Sequence, residues 1–254
     1  MLKKLKTVDL CLELTRRCNM KCCHCLRGEP QNIDMTKEII NRVFEKPLTD
    51  VDCIIFTGGE PSLVYPLIDY IREKIQKNNI FCSSFYMATN GKENALPTSV
   101  ELLKLYADIC DINGYDPVTI SLEDFSTVTI SFDDYHEKIS THNENIYKSL
   151  RFYHKDKDSR DAKYPGNVIR TGRAINLEKA ILRDPVPVDE PVIEVFTDYM
   201  LVSDILYISA NGNVNFGCDF SYDYFDAHAI GNVLSEPLVE IMTRTYESYR
   251  EESD

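Results

Sequence analysis

The chain has no stretch suited to a membrane and no address for export. No apolar run among its 254 residues approaches the length of a bilayer span. Its start, Met1-Leu2-Lys3-Lys4-Leu5-Lys6, lacks the apolar segment of a signal peptide. Repeats and low-complexity tracts are also missing, which excludes solenoid and array architectures. Positive charge is in deficit: 28 Lys and Arg stand against 41 Asp and Glu, a formal net charge of −13. That balance repels nucleic-acid phosphates and anionic membrane surfaces, so neither is expected as a partner.

What is present reads as a globular protein. Hydrophobic residues make up 43% of the chain, and its length supports one large domain or a domain with a small appendage. Nine cysteines are an odd number. Without an export signal the expected setting is cytoplasmic and reducing, where clustered cysteines bind metal rather than form disulfides. Cys11, Cys53, Cys82 and Cys110 lie in apolar runs and read as ordinary core residues.

Cys18, Cys22 and Cys25 are different. They stand in Arg17-Cys18-Asn19-Met20-Lys21-Cys22-Cys23-His24-Cys25. Three close thiolates suit a cluster or metal held at three corners, with the fourth position open for chemistry. Cys23 is expected to point away, because adjacent residues cannot both face one cluster.

Strand-like and helix-like segments alternate along the chain. Val8–Leu14 reads as a strand ending at the cysteine loop. Thr36–Glu45 reads as a helix, with Asp34 as its N-cap and Pro47 as its stop. Strands are predicted at Val51–Phe56, Phe81–Ala88, Val128–Phe132 and Asn167–Arg170. Helices are predicted at Leu63–Lys77, Ser99–Ala107, around His142–His154, and at Asn176–Leu182. Lys155–Gly166 reads as a loop. Beyond Asp184 the pattern changes to strands at Val192–Thr197, Leu201–Ser209 and Val214–Gly217, with a turn at Asn211-Gly212. A helix at Leu238–Tyr249 precedes an acidic tail, Glu251–Asp254, expected to fray.

Strand–helix alternation implies an α/β fold with a parallel sheet: a partial (β/α)6 TIM-like barrel, with a small C-terminal β-hairpin and helix cap. The expected division is residues 1–184 for the core and 185–254 for the cap. In such barrels the active site lies at the C-terminal ends of the strands. Five polar clusters fall there: the cysteine loop, Gly58-Gly59-Glu60-Pro61, Asn90-Gly91, Ser131 with Asp133, and Thr171-Gly172-Arg173.

Cys-x-x-x-Cys-x-x-Cys after a first strand, then Gly-Gly-Glu-Pro after a second, resembles the radical S-adenosylmethionine (SAM) superfamily. The resemblance runs from about Val8 to Ala174. It implies an enzyme in which Cys18, Cys22 and Cys25 hold three irons of one [4Fe–4S] cluster. The amino and carboxylate groups of SAM then take the fourth iron. One electron cleaves SAM to a 5′-deoxyadenosyl radical, which takes hydrogen from a substrate. The electron comes from an external donor of the flavodoxin or ferredoxin type.

The resemblance also implies cofactor contacts. His24 takes the place of an aromatic residue against the adenine. Gly58, Gly59 and Glu60 meet the methionine amino group, with Pro61 opening the following helix. Ser131 and Asp133 match a polar pair near the ribose or carboxylate, although Asp133 equally suits a helix cap. Asn90 faces the ligand or simply makes a turn. Arg173 matches an arginine for the SAM carboxylate, or else makes a structural ion pair.

Leu206–Val233 is similar to the opening of the twitch and SPASM extensions of peptide-modifying members, so the first reading of the substrate is a ribosomally made peptide. A small metabolite, such as a nucleotide base or a sugar, is the alternative. Cys218 is the only cysteine after Cys110, which is poor support for a second cluster. No catalytic residue is assigned; Cys218 is the one candidate, as a hydrogen donor. Seventeen residues precede Cys18, and no fused leader-binding domain is expected there. Tyr222, Tyr224 and Phe225, with Asp219, Asp223 and Asp226, read as a solvated loop. Two rival readings remain: a zinc module using Cys18, Cys22, His24 and Cys25, and an iron–sulfur electron carrier without SAM turnover. The spacing does not match paired zinc knuckles, and zinc leaves the other strand ends unexplained.

Overall fold

In the computed structural model, residues 4–118, 126–131, 135–154, 168–169, 171–176, 182–183, 193–196 and 200–253 are described. A long strand, β1 (Lys4–Thr15), runs through the middle of the main sheet. Its second half is buried throughout, because parallel neighbours flank it on both sides. On one side lie β2 (Leu48–Gly58), β3 (Phe81–Thr89) and β4 (Thr127–Ile130), each parallel to the last.

Helices cover this half of the sheet. The first, α1 (Lys37–Val43), buries Ile39, Ile40 and Val43. Its N-cap is Thr36, whose Oγ1 accepts from the Ile39 N–H at 3.2 Å, and not Asp34 as predicted. Asp34 is drawn off instead by Thr15 and Arg17. The helix predicted at Leu63–Lys77 is split: a 3₁₀ turn at Pro61–Val64, then α2 (Pro66–Asn78). Pro66 has no N–H to continue the ladder, and so it restarts the helix at its first position. Next, α3 (Ala95–Asn113) runs longer than its predicted core. Arg72 ties α2 to α3 by bonding Asp69 and Asp108. A short α4 (Thr141–Lys148) follows β4.

β5 (Val168–Ile169) and β6 (Leu182–Arg183) pair in parallel as a separate two-stranded sheet, with a 3₁₀ turn at Gly172–Asn176 between them. The helix predicted at Asn176–Leu182 is therefore corrected at both ends: Asn176 closes the 3₁₀ turn and Leu182 is a strand residue. Residues 177–181 lie outside the described residues.

The other flank of β1 is taken by β8 (Met200–Ile208), parallel to it. β7 (Ile193–Phe196) and β9 (Asn213–Phe216) both pair antiparallel with β8, and β10 (Gly231–Asn232) closes the path. A short helix, α5 (Tyr222–Ala227), follows β9. The final α6 (Leu238–Ser253) buries Leu238, Ile241 and Met242, and its backbone runs on through most of the predicted tail. The architecture is α/β, an open and mostly parallel sheet of the partial-barrel kind. Its strand ends gather the polar residues onto one edge.

Candidate active site

The end of β1 delivers the cysteine loop, and the end of β2 holds it. Gly59 N–H donates to the Thr15 carbonyl at 2.7 Å, and Glu60 N–H donates to the Arg17 carbonyl at 2.8 Å. This backbone-to-backbone seam requires the two glycines. A Cβ on Gly58 would sit 2.1 Å from the Thr15 oxygen, and one on Gly59 would sit 2.1 Å from the Arg17 oxygen.

Within the loop, Cys22 is buried, Cys18 and Cys25 are partly exposed, and Cys23 is exposed. Burial pushes the Cys18 thiol up, and the charges of Glu60, Cys25 and Cys22 add to that push. Three cysteines on one loop partly open to solvent form a soft donor set. That set fits an iron–sulfur cluster better than a hard cation. Of the four cysteines read as core residues, Cys11, Cys82 and Cys110 are buried and Cys53 is only partly so; burial drives Cys53 up to about 11 and Cys82 up to about 12.

Glu60 is turned into the protein. Its carboxylate accepts from Ser62 N–H (3.0 Å), Thr89 Oγ1–H (2.6 Å) and Asn90 N–H (2.7 Å). Burial pushes its carboxyl up, while these donors pull the other way. Glu60 thus joins the ends of β2 and β3, and Pro61 begins the 3₁₀ turn behind it. Asn90 reaches the cysteine loop: its Nδ2 donates to Asn19 Oδ1 at 2.8 Å and lies 3.8 Å from Cys18 Sγ. Lys92 donates to the Asn19 carbonyl and to Glu137. Ser131 is half-buried, its N–H donating to the Thr89 carbonyl at 2.8 Å. Asp133 lies outside the described residues.

His24 packs against two rings from beyond β4: Tyr135 and His136, each with centroids 4.9 Å away. Cys22, His24 and His136 bring their ligating atoms within 4.8 Å of one another. This group shares only Cys22 and His24 with the zinc set considered from the sequence. Arg173 meets the loop from the other side. Its N–H donates to the Cys25 carbonyl at 2.9 Å, and its guanidinium lies 3.8 Å from the exposed Glu29. The buried Arg173 Nε has no hydrogen-bond partner among the described residues. Gly172 permits this approach, since a Cβ there would lie 2.4 Å from the Leu26 oxygen.

Sequence reasoning missed a buried charge network beneath the loop. Glu13 and Arg16 are both fully buried, and Arg16 Nε donates to Glu13 Oε1 at 2.6 Å. Glu13 also accepts from the Ala210 N–H at 2.9 Å and from the Tyr207 hydroxyl. Arg16 reaches on to Gln31 at 2.9 Å and to Asp226. Of the residues predicted as a solvated loop, all but Asp219 lie in α5, with Tyr222 and Phe225 buried. Aromatic packing against Tyr207 outweighs the acidic neighbours: Tyr207 and Phe225 stack at 3.9 Å. The one available signal was the charged pair Glu13 and Arg16, three positions apart where the first strand ends. Cys218 packs with Cys11, Tyr207, Phe220 and Phe225. A hydrogen bond from Cys11 lowers its thiol pKa.

The fold and the site together define an α/β protein with a triple-cysteine loop at the mouth of an open parallel sheet. A sequence profile of the radical SAM superfamily matches residues 12–156, more than half of the chain. The chain belongs to the radical SAM superfamily, whose members are enzymes that use an iron–sulfur cluster and SAM. No curated protein matches it. Among solved structures, it is similar to anSMEcpe with bound AdoMet and a Cp18Cys peptide (17% identity, 59% of this chain, 42% of that chain, TM-score 0.40). It is also similar to Streptococcus suis SuiB bound to its precursor peptide SuiA (11% identity, 92% and 64%, TM-score 0.39). SuiB bound to S-adenosylmethionine gives 11%, 92% and 65%, with a TM-score of 0.38. This chain thus spans between 42% and 65% of the length of those proteins.

Proposed function

We propose that this enzyme holds one [4Fe–4S] cluster on Cys18, Cys22 and Cys25, binds SAM at the open iron, and acts on a peptide substrate. When bound, the cluster and SAM supply a 5′-deoxyadenosyl radical that takes hydrogen from the substrate. The observation that carries the reading is the meeting of four strand ends on one loop. Gly59 and Glu60 bond its entry, Asn90 bonds Asn19 within it, and Arg173 bonds Cys25 at its exit.

The chain's own residues would work as follows. Gly58 and Gly59 keep side chains away from the seam and leave room for the methionine end of SAM. Glu60 fixes the backbone of Asn90 and Ser62, and so shapes that edge. The half-buried Arg173 guanidinium would bind the SAM carboxylate, which would give its buried Nε a partner. His24, packed at a tilt against Tyr135, would flank the adenine. Ser131, half-buried after β4, would contact the ribose or the carboxylate. The electron arrives from a flavodoxin- or ferredoxin-type donor in the cytoplasm. The twitch-like run Leu206–Val233 supports a peptide substrate.

Anaerobic reconstitution tests the cluster: about four irons per chain and a brown chromophore are expected. Mass spectrometry for 5′-deoxyadenosine, with reductant, SAM and candidate peptides or small metabolites, tests the rest. Iron uptake without any 5′-deoxyadenosine would leave an electron carrier instead.

A further inference from the structure

The C-terminal segment grips the cysteine loop at both ends. At the front, Arg16 precedes Cys18 by two residues and donates through Nη1 and Nη2 to both oxygens of Asp226 (2.7 and 2.8 Å). At the back, Arg27 follows Cys25 by two residues and donates through Nη1 to the Phe220 carbonyl at 2.8 Å. The Arg27 carbonyl accepts from the Tyr222 N–H at 3.1 Å. Tyr222 lies between the two ends. Its ring sits 4.8 Å under the Arg16 guanidinium, and it is close enough to Cys18 and Cys25 for their charges to act on it.

The two grips differ in charge. Arg16 faces two carboxylates, Glu13 and Asp226. Arg27 bonds neutral groups, the Phe220 carbonyl and the Thr57 hydroxyl, and lies over the rings of Tyr207 (5.2 Å) and Phe225 (5.3 Å), with Glu13 acting on it only through space. The front of the loop therefore carries excess negative charge, and the back carries a positive charge that no carboxylate bonds among the described residues. Arg27 is buried, where screening by solvent is weak, while Asp226 is partly exposed and acts more weakly.

We propose that Arg27 and the Arg16–Asp226 pair are positioning residues that set the reduction potential of the cluster held by Cys18, Cys22 and Cys25. The inference rests on the cluster reading above. Reduction adds one electron from the external donor, and no bond to these side chains forms or breaks. A fixed positive charge nearby favours the reduced cluster, and a fixed negative charge opposes it.

The test is a redox titration of the anaerobically reconstituted full chain, followed by electron paramagnetic resonance, with iron counted in each sample. Arg27→Gln is expected to lower the reduced-to-oxidised ratio at a fixed poise about tenfold, equal to 59 mV for one electron. Asp226→Asn is expected to raise that ratio. Arg27→Lys keeps the charge and should stay near the parent ratio. Shifts of the same sign in Arg27→Gln and Asp226→Asn, no shift in either, or a Lys variant behaving like the Gln variant would overturn the proposal. A variant that folds but takes up no iron overturns it too, because the residue is then purely structural. A parent protein that takes up no iron sinks the cluster reading itself.

Discussion

Arg16 and Asp226 stand 210 positions apart and meet in a two-armed ion pair, with both guanidinium arms on both carboxylate oxygens. Bidentate pairs of this kind fix direction as well as distance. Here the pair fixes α5 against the start of the cysteine loop. Arg16 is fully buried while Asp226 is partly exposed, so the pair's strength depends on the buried half of the network.

That dependence makes Glu13 the critical carboxylate. Removing one partner of a buried pair leaves an uncompensated charge, at a cost of about 3–5 kcal/mol. Glu13→Ala should destabilise the protein by that order in urea titration. A loss below about 1 kcal/mol would show that Asp226 alone satisfies Arg16.

Asp226 should shape the acid limb of stability. The hydrogen bond from Arg16 holds its carboxyl below the usual value of 3.8. Its folded pKa is lower than its unfolded one, so its contribution is present above about pH 4 and is lost as pH falls through the folded pKa. Denaturation of the parent and Asp226→Asn between about pH 6 and pH 3 should converge at the acid end. A gap that stayed constant across that range would contradict the assignment.

Gly59→Ala should break the β1–β2 seam. Its Cβ would meet the Arg17 carbonyl oxygen at 2.1 Å, a backbone atom that cannot rotate away. A loss of about 1–3 kcal/mol is expected from the forced backbone shift, together with loss of SAM binding by calorimetry. Unchanged SAM affinity would remove the seam from the cofactor site.

The triad should separate from its exposed neighbour. Cys18→Ser, Cys22→Ser and Cys25→Ser should each abolish the chromophore after reconstitution, and Cys23→Ser should retain it. Iron content and visible absorbance decide. A Cys23 variant as empty as the others would mean that the ligand set has been misassigned.

His24→Ala should weaken SAM binding while leaving iron uptake intact. Aromatic contacts are worth about 0.5–1.5 kcal/mol, so a rise in Kd of roughly two- to tenfold is expected. Equal affinity in the variant would place His24 with Tyr135 and His136 as packing only.

Local patterns were legible because their causes are local. A thiolate triad needs close spacing in the chain, a Gly-Gly pair needs a tight approach, and β1 to β4 needed only apolar runs bounded by turns. Asp34 misled because its rivals, Thr15 and Arg17, lie far from it in sequence and bind it first. The Tyr222–Asp226 run misled because its acidic residues suggest solvent. Their fate depends on Tyr207 and Arg16, which no local pattern brings near. Glu60 shows the same divide: the motif marks it, but only the fold shows its carboxylate turned to Thr89 and Asn90.

By itself, the sequence determined that three thiolates, a glycine seam and a strand–helix alternation belong to one chain of the radical SAM kind. These depend on spacing and composition, which are written along the backbone. The tertiary structure alone decided that β8 lies beside β1 and that α5 closes over the loop. It also decided that two buried guanidiniums flank the triad, one bonded by carboxylates and one by a backbone carbonyl. Those facts depend on which distant groups share a low-dielectric interior, and charge there acts through space and not along the chain.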